Sequence, residues 1–319
     1  MRTRFAPSPT GDLHLGGAWT ALASWVVARR AGGVTLLRHE DLDTARVVPD
    51  ARERIEEDLA WLGLDWDEPP VQQSDRASLY QRALEALAAQ GLTYPCDCSR
   101  AEIARAASAP HEGEETVYPG VCRDRDPARP MKRPPAIRVR VPHEVVAFDD
   151  AVMGPIAQDL AGSTGDFVLR RGDGVFAYQL AVVVDDAAMG ITDVVRGADL
   201  VASTPRQIWL LRMLGATVPR YAHVPLVVAH DGARLEKRTR GATVRGLREA
   251  GVPAEKIVAE LARGLGLWPG REGASGMSSA AADPTVLAPD QASALEVARA
   301  SASAPIPWRH EPWPIRTSW

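Results

Sequence analysis

A glycine-rich stretch with one histidine lies near the start of the chain, where residues 4–17 read RFAPSPTGDLHLGG. A short strand over 3–6 is predicted at its beginning. Apolar side chains at helical spacing in AWTALASWVVARR predict a helix over 18–30. In an α/β sheet such a strand–turn–helix junction binds phosphates and nucleotides, because the backbone N–H groups of the first helical turn point outward. His14 therefore either donates to a phosphate or simply caps the helix.

Three cysteines, Cys96, Cys98 and Cys122, lie close together in the sequence. Their odd number and their clustering argue against a disulfide, and the C-x-C…C spacing suits tetrahedral zinc with one further ligand. His111 and Tyr118 both lie between the cysteines, and imidazole is the commoner ligand of the two. Three unligated core cysteines are the alternative interpretation.

The composition is that of a globular protein without a general affinity for polyanions. Charged residues make up 24% and hydrophobic residues 45% of the chain, and the net charge is −4. Because we find neither a membrane-length apolar run nor a signal peptide, we expect a soluble cytoplasmic protein without membrane contact. Lysines are rare beside arginines, so Lys132, Lys237 and Lys256 are candidates for roles that arginine does not fill.

Strand and helix patterns alternate in two parts of the chain, which predicts an α/β fold. Residues 96–165 are instead rich in cysteine, proline and arginine, and their pattern predicts short strands. This change in composition indicates an inserted module. Predicted strands cover 33–40, 191–197 and 223–228, and predicted helices cover 49–64, 75–91, 178–186, 203–215 and 241–268.

Two further segments have unusual compositions. A basic run follows the last cysteine, and it indicates either a solvated face or a phosphate-contact surface. The tail from about 270 is rich in alanine, serine and proline, and we predict that its tryptophans pin it to the body. The basic run contains Arg123, Arg125, Arg129, Lys132, Arg133, Arg138 and Arg140, and the tail tryptophans are Trp308, Trp313 and Trp319.

The stretch RFAPSPTGDLHLGG resembles the first signature of class I aminoacyl-tRNA synthetases, in the version used by glutamyl-tRNA synthetases. This resemblance implies a Rossmann-type nucleotide-binding fold in which His14, Gly16 and Gly17 contact ATP. After HVPLVVAHDGA the chain reads Arg234-Leu235-Glu236-Lys237-Arg238, in the place of the KMSKS signature. The resemblance therefore implies that His14 and Lys237 are catalytic and stabilise charge on the triphosphate. Arg234 and Glu236 depart from the signature.

The same resemblance implies a glutamate pocket. Two carboxylates and one ammonium on the substrate need about two cations and one anion in the protein, which Arg4, Arg196 and Glu40 supply. Each of these residues alone is more simply explained by a surface salt bridge, but together they match the family spacing. The implied glutamate-binding residues are Arg4, Phe5, Ala6, Pro7, Ser8, Glu40, Tyr178 and Arg196.

Two features resemble a truncated paralogue of the glutamyl-tRNA synthetases: the pattern C-x-C…Y-x-x-x-C and the segment RGADL at 196–200. In that paralogue a tyrosine, here Tyr118, is the fourth ligand of a single zinc ion, with Cys96, Cys98 and Cys122. The stretch after the last predicted helix is too short for an anticodon-binding domain. The expected divisions are 1–95 and 166–230 as halves of the catalytic domain, 96–165 as a zinc-binding acceptor-type insert, 231–270 as a KMSKS-like loop with a helical stem-contact region, and 271–319 as an irregular tail.

The resemblance to this paralogue implies a two-step activity in a monomer. The first step is activation of L-glutamate by ATP with Mg²⁺ and without tRNA. The second is transfer of glutamate to the queuosine base at the anticodon wobble position of tRNA(Asp). The alternatives are a truncated glutamyl-tRNA synthetase that charges a tRNA 3′ end, and a non-catalytic RNA-binding relative, which the altered second signature allows.

Overall fold

The computed structural model describes residues 1–106, 117–228, 243–267, 293 and 313–314. Helices α1 to α9 cover Leu15–Arg30, Ala51–Trp61, Ala77–Ala89, Arg100–Ala106, Leu160–Ser163, Tyr178–Ala188, Thr204–Met213, Val244–Glu249 and Ala254–Leu265. Strands β1 to β12 cover Arg2–Phe5, Val34–His39, Val71–Gln72, Thr93–Cys96, Ala136–Val139, Val145–Asp150, Gly154–Asp159, Val168–Arg170, Asp193–Gly197, Arg220–Val224, Val227–Val228 and Trp313–Pro314. Within these described ranges, every helix is too short or too polar to cross a membrane.

Parallel strands from both parts of the chain meet at β1. On one side β1 pairs with β2, which pairs with β3, and on the other side β9 pairs with β10. The amide of Thr192, just before β9, donates to the Arg2 carbonyl at 2.9 Å, and the Arg2 amide donates to the Thr192 hydroxyl at 2.8 Å. The strand order therefore reverses at β1, and ligands of open α/β sheets bind beside the carboxyl ends of strands at such a point.

The predicted insert contributes to two different sheets. Strands β4, β5 and β8 form an antiparallel sheet beside the three cysteines. Strand β6 instead lies parallel to β10, with Asp150 opposite Tyr221, and β7 pairs with β6 as a hairpin. The second part of the segment 96–165 therefore extends the sheet that carries the β9 and β10 strand ends.

Helix α1 packs inside the molecule, as its composition predicts. Trp19, Leu22 and Trp25 are at most 2% exposed, and apolar side chains surround the helix on most of its circumference. A helix that is apolar all round is normally a core helix. Its buried position fixes the end of the glycine-rich turn against the carboxyl end of β1.

Two predicted elements are divided in the structure. The strand predicted over 223–228 is wrong as a single strand: β10 ends at Val224 and β11 begins at Val227, because Pro225 between them lacks an N–H for the ladder. The helix predicted over 241–268 is two helices, α8 and α9, separated by a turn that contains Gly251 at φ +81° and Pro253. In the tail, Trp313–Pro314 pairs with Val227–Val228, whereas Trp308 and Trp319 lie outside the described residues.

Candidate active site

Four of the predicted pocket residues lie at the point where the strand order reverses. Arg4 is on β1, Glu40 follows β2, Tyr178 begins α6 and Arg196 is on β9. The Arg196 guanidinium lies 3.4 Å from the Tyr178 hydroxyl through Nη1. Burial raises the pKa of Tyr178, and the charges of Arg196, Glu40 and Arg4 all act on it. The structure therefore brings these four side chains together.

Three buried charged residues that sequence analysis did not select support this pocket. The fully buried Arg38 guanidinium lies 2.6 Å from Asp186, 3.2 Å from Glu40 and 3.7 Å from Asp185. Burial alone lowers the pKa of Arg38, but these carboxylates outweigh it and hold the pKa above its ordinary value. Two features of the sequence could have indicated this cluster. Arg38 interrupts the apolar strand VTLLRH, and Asp185 and Asp186 follow the apolar run of α6.

Arg4 has a protein partner that the sequence did not reveal. Its guanidinium donates two hydrogen bonds to Asp186, from Nε at 3.0 Å and from Nη2 at 3.3 Å. Burial raises the pKa of Asp186, but Arg4 and Arg38 lower it by a larger amount. The carboxylate therefore stays ionised. Arg4 therefore has a buried partner within the protein, and its contact with a substrate carboxylate stays a prediction.

The buried charges of the pocket are mostly paired within the protein. Asp185 is balanced by Arg76 at 2.6 Å and also accepts a hydrogen bond from the Tyr80 hydroxyl. Asp186 contacts both Arg4 and Arg38, and Arg38 also contacts Glu40. Arg196 is linked to the buried Asp150 only through His223. Among the described residues, Arg196 is therefore the pocket cation that contacts no carboxylate directly.

Glu40 follows directly after β2, and its side chain is 13% exposed. Burial raises its pKa, and the charges of Arg38 and Arg4 oppose that effect. Its backbone N–H donates to the Pro7 carbonyl at 2.9 Å, which ties the residue to the turn after β1. Phe5 ends β1, Ala6 and Pro7 are half-buried, and Ser8 is exposed. The turn predicted to bind substrate therefore lies against Glu40.

His14 is the N-cap of α1, as the simpler interpretation proposed. Its Nδ1 accepts a hydrogen bond from the Gly17 N–H at 3.0 Å, so the proton of the neutral ring is on Nε2. A Cβ at Gly17 would lie 2.8 Å from the Leu13 side chain, and one at Gly16 would lie 3.1 Å from the His14 ring. These glycines therefore allow the histidine ring to fold back over the helix start.

Two residues that follow the segment with the second signature, Thr243 and Val244, lie beside this histidine. Thr243 forms an antiparallel bridge with His14, and the Val244 amide donates to the Leu13 carbonyl at 2.8 Å. Residues 234–238, including Lys237, lie outside the described residues. Thr243, the first described residue after this gap, therefore lies against the first signature.

The three cysteines and Tyr118 form a compact group of metal-ligand atoms. The thiol sulfurs of Cys96, Cys98 and Cys122 lie within 4.8 Å of one another. The Tyr118 oxygen is 3.4 Å from the Cys96 sulfur and 3.9 Å from that of Cys98, and the Cys98 and Cys122 sulfurs are 3.4 Å apart. Tetrahedral zinc with Zn–S bonds of about 2.3 Å separates its ligand atoms by about 3.8 Å, so these four residues fit it. His111 lies outside the described residues.

Most of the basic run after Cys122 is paired with acidic groups or aromatic rings. Arg123 binds the buried Asp166, Arg129 binds the buried Asp97, and Arg138 lies 3.8 Å over the Tyr118 ring. The other pairs are exposed: Lys132 and Arg133 with Glu102, and Arg140 with Asp124, whereas Arg125 is an exposed residue of the same run. The run therefore combines structural cations around the cysteine group with an exposed basic edge.

The parallel sheet reverses its strand order at a pocket of charged side chains, and α1 begins at a histidine followed by glycines. These are the features expected of the catalytic domain of a class I aminoacyl-tRNA synthetase. A family model described as tRNA synthetases class I (E and Q), catalytic domain, matches residues 1–275. The chain belongs to this family of ligases and, within it, to the glutamyl-Q tRNA(Asp) synthetases, as the following relatives establish.

Several curated relatives carry the name Glutamyl-Q tRNA(Asp) synthetase, and two of them illustrate the match. The one from Geobacter sulfurreducens is 54% identical over 276 residues, which are 86% of this chain and 87% of the relative. The one from Nitratidesulfovibrio vulgaris is 50% identical over 283 residues, 84% of this chain and 87% of the relative. The solved glutamate-tRNA synthetase of Elizabethkingia anophelis superposes with a TM-score of 0.75 at 28% identity, covering 94% of this chain and 65% of that one. The chain thus spans just under two thirds of that synthetase.

Proposed function

We propose that this chain activates L-glutamate with ATP, without needing tRNA, and transfers the glutamate to the queuosine base of tRNA(Asp). The single observation that carries the proposal is that Glu40 and Arg196, which offer opposite charges, both lie beside Tyr178 at the strand ends. Glu40 binds the substrate ammonium, and Arg196 with Tyr178 binds a carboxylate. The names of the relatives support this choice of substrate and of tRNA.

In the activation step, an oxygen of the glutamate carboxylate attacks the α-phosphorus of ATP. A P–O bond forms, the bond to the β-phosphate breaks, and pyrophosphate leaves. The Nε2–H of His14 and the ammonium of Lys237 stabilise the negative charge on the triphosphate, and Gly16 and Gly17 let ATP approach the start of α1. Mg²⁺ neutralises the pyrophosphate when it is bound.

In the transfer step, a hydroxyl of the queuosine cyclopentenediol attacks the carbonyl carbon of the glutamyl-adenylate. An ester bond forms, the carbonyl C–O bond of the mixed anhydride breaks, AMP leaves with its electron pair, and the hydroxyl proton passes to the departing phosphate or to water. The described pocket offers no obvious general base for the hydroxyl, so positioning of the two reactants carries this step. The exposed basic edge around Lys132 and Arg133 is the proposed contact for tRNA phosphates.

We also propose that Cys96, Cys98, Tyr118 and Cys122 hold one zinc ion. The Cys122 amide donates to the Tyr118 oxygen at 2.8 Å, which suits a phenolate ligand, and the cations of Arg129 and Arg138 lie beside the group. When bound, the metal supplies structural order to the antiparallel sheet of β4, β5 and β8.

Metal content tests this assignment. Purified wild-type protein is expected to contain about one zinc per chain by elemental analysis, because a closed structural site holds a single ion. The Cys98→Ser variant loses it, and Tyr118→Phe keeps it more weakly, because three thiolates remain. Full metal content in Tyr118→Phe together with loss in His111→Ala would assign the fourth ligand to His111. Loss of metal is expected to reduce transfer more than activation, because the cysteine group lies on a sheet separate from the ATP turn.

Two assays test the function. In ATP–pyrophosphate exchange without tRNA, glutamate is expected to support exchange and glutamine to be poor, because a neutral amide leaves a buried cation unpaired at a cost of about 1–3 kcal/mol. Equal exchange with both amino acids contradicts the pocket assignment, and no exchange favours a non-catalytic relative. Glutamylation of tRNA(Asp) with and without queuosine, with mapping of the acceptor, separates the proposed transfer from charging of a 3′ end.

A further inference from the structure

One edge of the Arg196 guanidinium is held by three groups of the protein. Its Nε–H donates to Nε2 of His223 at 3.0 Å, and its Nη2 donates to the Thr204 hydroxyl at 2.9 Å and to the Leu200 carbonyl at 3.4 Å. The remaining nitrogen, Nη1, is the one that lies near the Tyr178 hydroxyl. The guanidinium therefore has one edge fixed in the protein and one edge presented to the pocket.

The histidine that holds this edge has its own fixed partner. Nδ1 of His223 lies 2.6 Å from Oδ2 of Asp150, and both side chains are fully buried. The other oxygen of Asp150 accepts from the backbone N–H groups of Val152, Met153 and His223 at 2.9–3.1 Å. His223 also stacks on the Tyr221 ring, with the two ring planes 7° apart. Asp150 is thereby locked at the end of β6, and it orients the histidine on β10.

The chemistry of arginine decides the protonation of this histidine. Because a guanidinium only donates, Nε2 of His223 must accept, and its single ring proton must lie on Nδ1 and point to Asp150. Burial and the charge of Arg196 lower the pKa of His223 and favour this neutral form, although Asp150 acts in the opposite direction. Asp150 keeps a pKa of about 2, because its hydrogen bonds outweigh burial.

We propose that His223 and Asp150 are positioning residues: they set the orientation in which Arg196 presents Nη1 to a carboxylate of the amino acid. The inference rests on the proposed function, because it takes Arg196 as the receptor of the substrate carboxylate. Without an acceptor at Nε2, the buried Nε–H of Arg196 loses its partner, and the guanidinium turns to find another. Glutamate binding then weakens, while the ATP turn at His14, on another strand, is unaffected.

Three substitutions distinguish an effect of the His223 tautomer on Arg196 from a loss of packing around the His223 ring. His223→Asn keeps a donor towards Asp150 but places no acceptor at Arg196, and His223→Gln places an amide oxygen near the position of Nε2. Asp150→Asn keeps the backbone hydrogen bonds but turns an NH₂ group towards Nδ1, which moves the ring proton to Nε2 and against the Arg196 N–H. The same change beside the histidine of serine proteases produces the wrong tautomer. The exposed His143→Asn is the matched control.

The experiment measures the KM values for glutamate and for ATP in pyrophosphate exchange, with glutamate affinity by calorimetry and thermal melting of each variant. We expect His223→Asn and Asp150→Asn to raise the glutamate KM and Kd about 10- to 100-fold, as an unpaired buried donor does, with the ATP KM unchanged. His223→Gln is expected to recover most of the loss, and His143→Asn to match the wild type. An unchanged glutamate KM in His223→Asn overturns the inference, and so do equal rises in both KM values. Absence of glutamate exchange in the wild type would overturn the proposed function instead, and calorimetry on the same variants would still test the orientation of Arg196.

Discussion

Replacement of Arg38 by methionine is expected to lower the free energy of unfolding by about 3–5 kcal/mol, because it removes the central cation from buried carboxylates. The guanidinium is fully buried and lies 2.6 Å from Asp186 and 3.2 Å from Glu40. Asp186 keeps Arg4 as a partner. Glu40, however, loses the cation from which it accepts a hydrogen bond. Since domains are stable by only about 5–15 kcal/mol, the loss is a large part of the total.

Urea unfolding of the two proteins, followed by circular dichroism, measures this difference. The matched control is Arg212→Met, which removes an arginine from an ion pair with Glu144 in which both side chains are more than 40% exposed. Exposed pairs contribute about 0–1 kcal/mol, so this variant should unfold near the wild-type midpoint. Equal midpoints for Arg38→Met and Arg212→Met would show that the buried carboxylates do not depend on Arg38.

The regular elements were predictable because they depend on local periodicity. The helices predicted over 49–64, 75–91 and 203–215 are confirmed as Ala51–Trp61, Ala77–Ala89 and Thr204–Met213. The strand predicted over 33–40 is confirmed as Val34–His39. In each case the apolar spacing along the chain is the same property that buries one side of the element in the core.

The pairing of charged side chains was not predictable in the same way. Arg4 and Asp186 are far apart in the chain, and so are Arg196 and His223, so no local pattern reports their contacts. Whether a carboxylate binds a substrate ammonium or a buried arginine depends on which strand lies beside which, and this order is fixed by the whole sheet. The sequence could place Arg4 at the strand end, but it could not show that Asp186 is there to receive it.

The proposed zinc ligands are an intermediate case, because their spacing was visible in the sequence but their full set was not. The spacing of Cys96, Cys98 and Cys122 indicated a metal site, but it left His111 and Tyr118 equally placed along the chain. The structure brings the Tyr118 oxygen to within hydrogen-bonding distance of Cys96 because Tyr118 bridges to Gly165 beside the antiparallel sheet. The spacing of residues along the chain does not report this long-range contact, so the sequence alone could not choose the fourth ligand.

Replacement of Arg196 by alanine is expected to lower kcat/KM for glutamate about 30- to 4000-fold, which corresponds to about 2–5 kcal/mol for truncation of a buried, hydrogen-bonded charge. Arg196 is 5% exposed and is the pocket cation with a nitrogen directed at Tyr178 rather than at a carboxylate. Because it contacts the amino acid both before and during the attack on ATP, most of the effect should appear in the glutamate KM, with a smaller change in kcat.

The ATP KM decides between a binding role and a structural one for Arg196, because the proposed ATP turn at His14 belongs to a different strand end. The control is Arg220→Ala, on the adjacent strand β10, whose side chain is 78% exposed and pairs with Asp193. This variant should leave both KM values at the wild-type level, because Arg220 and Asp193 lie at the first residues of β10 and β9, at the other end of the strands from Arg196. The Arg196→Lys variant should stay impaired, since an ammonium reproduces the charge but not the planar set of donors that His223 and Thr204 hold. If Arg196→Ala raised the KM values for ATP and glutamate by the same factor, Arg196 would be a core residue of β9, and the substrate carboxylate would have to bind elsewhere.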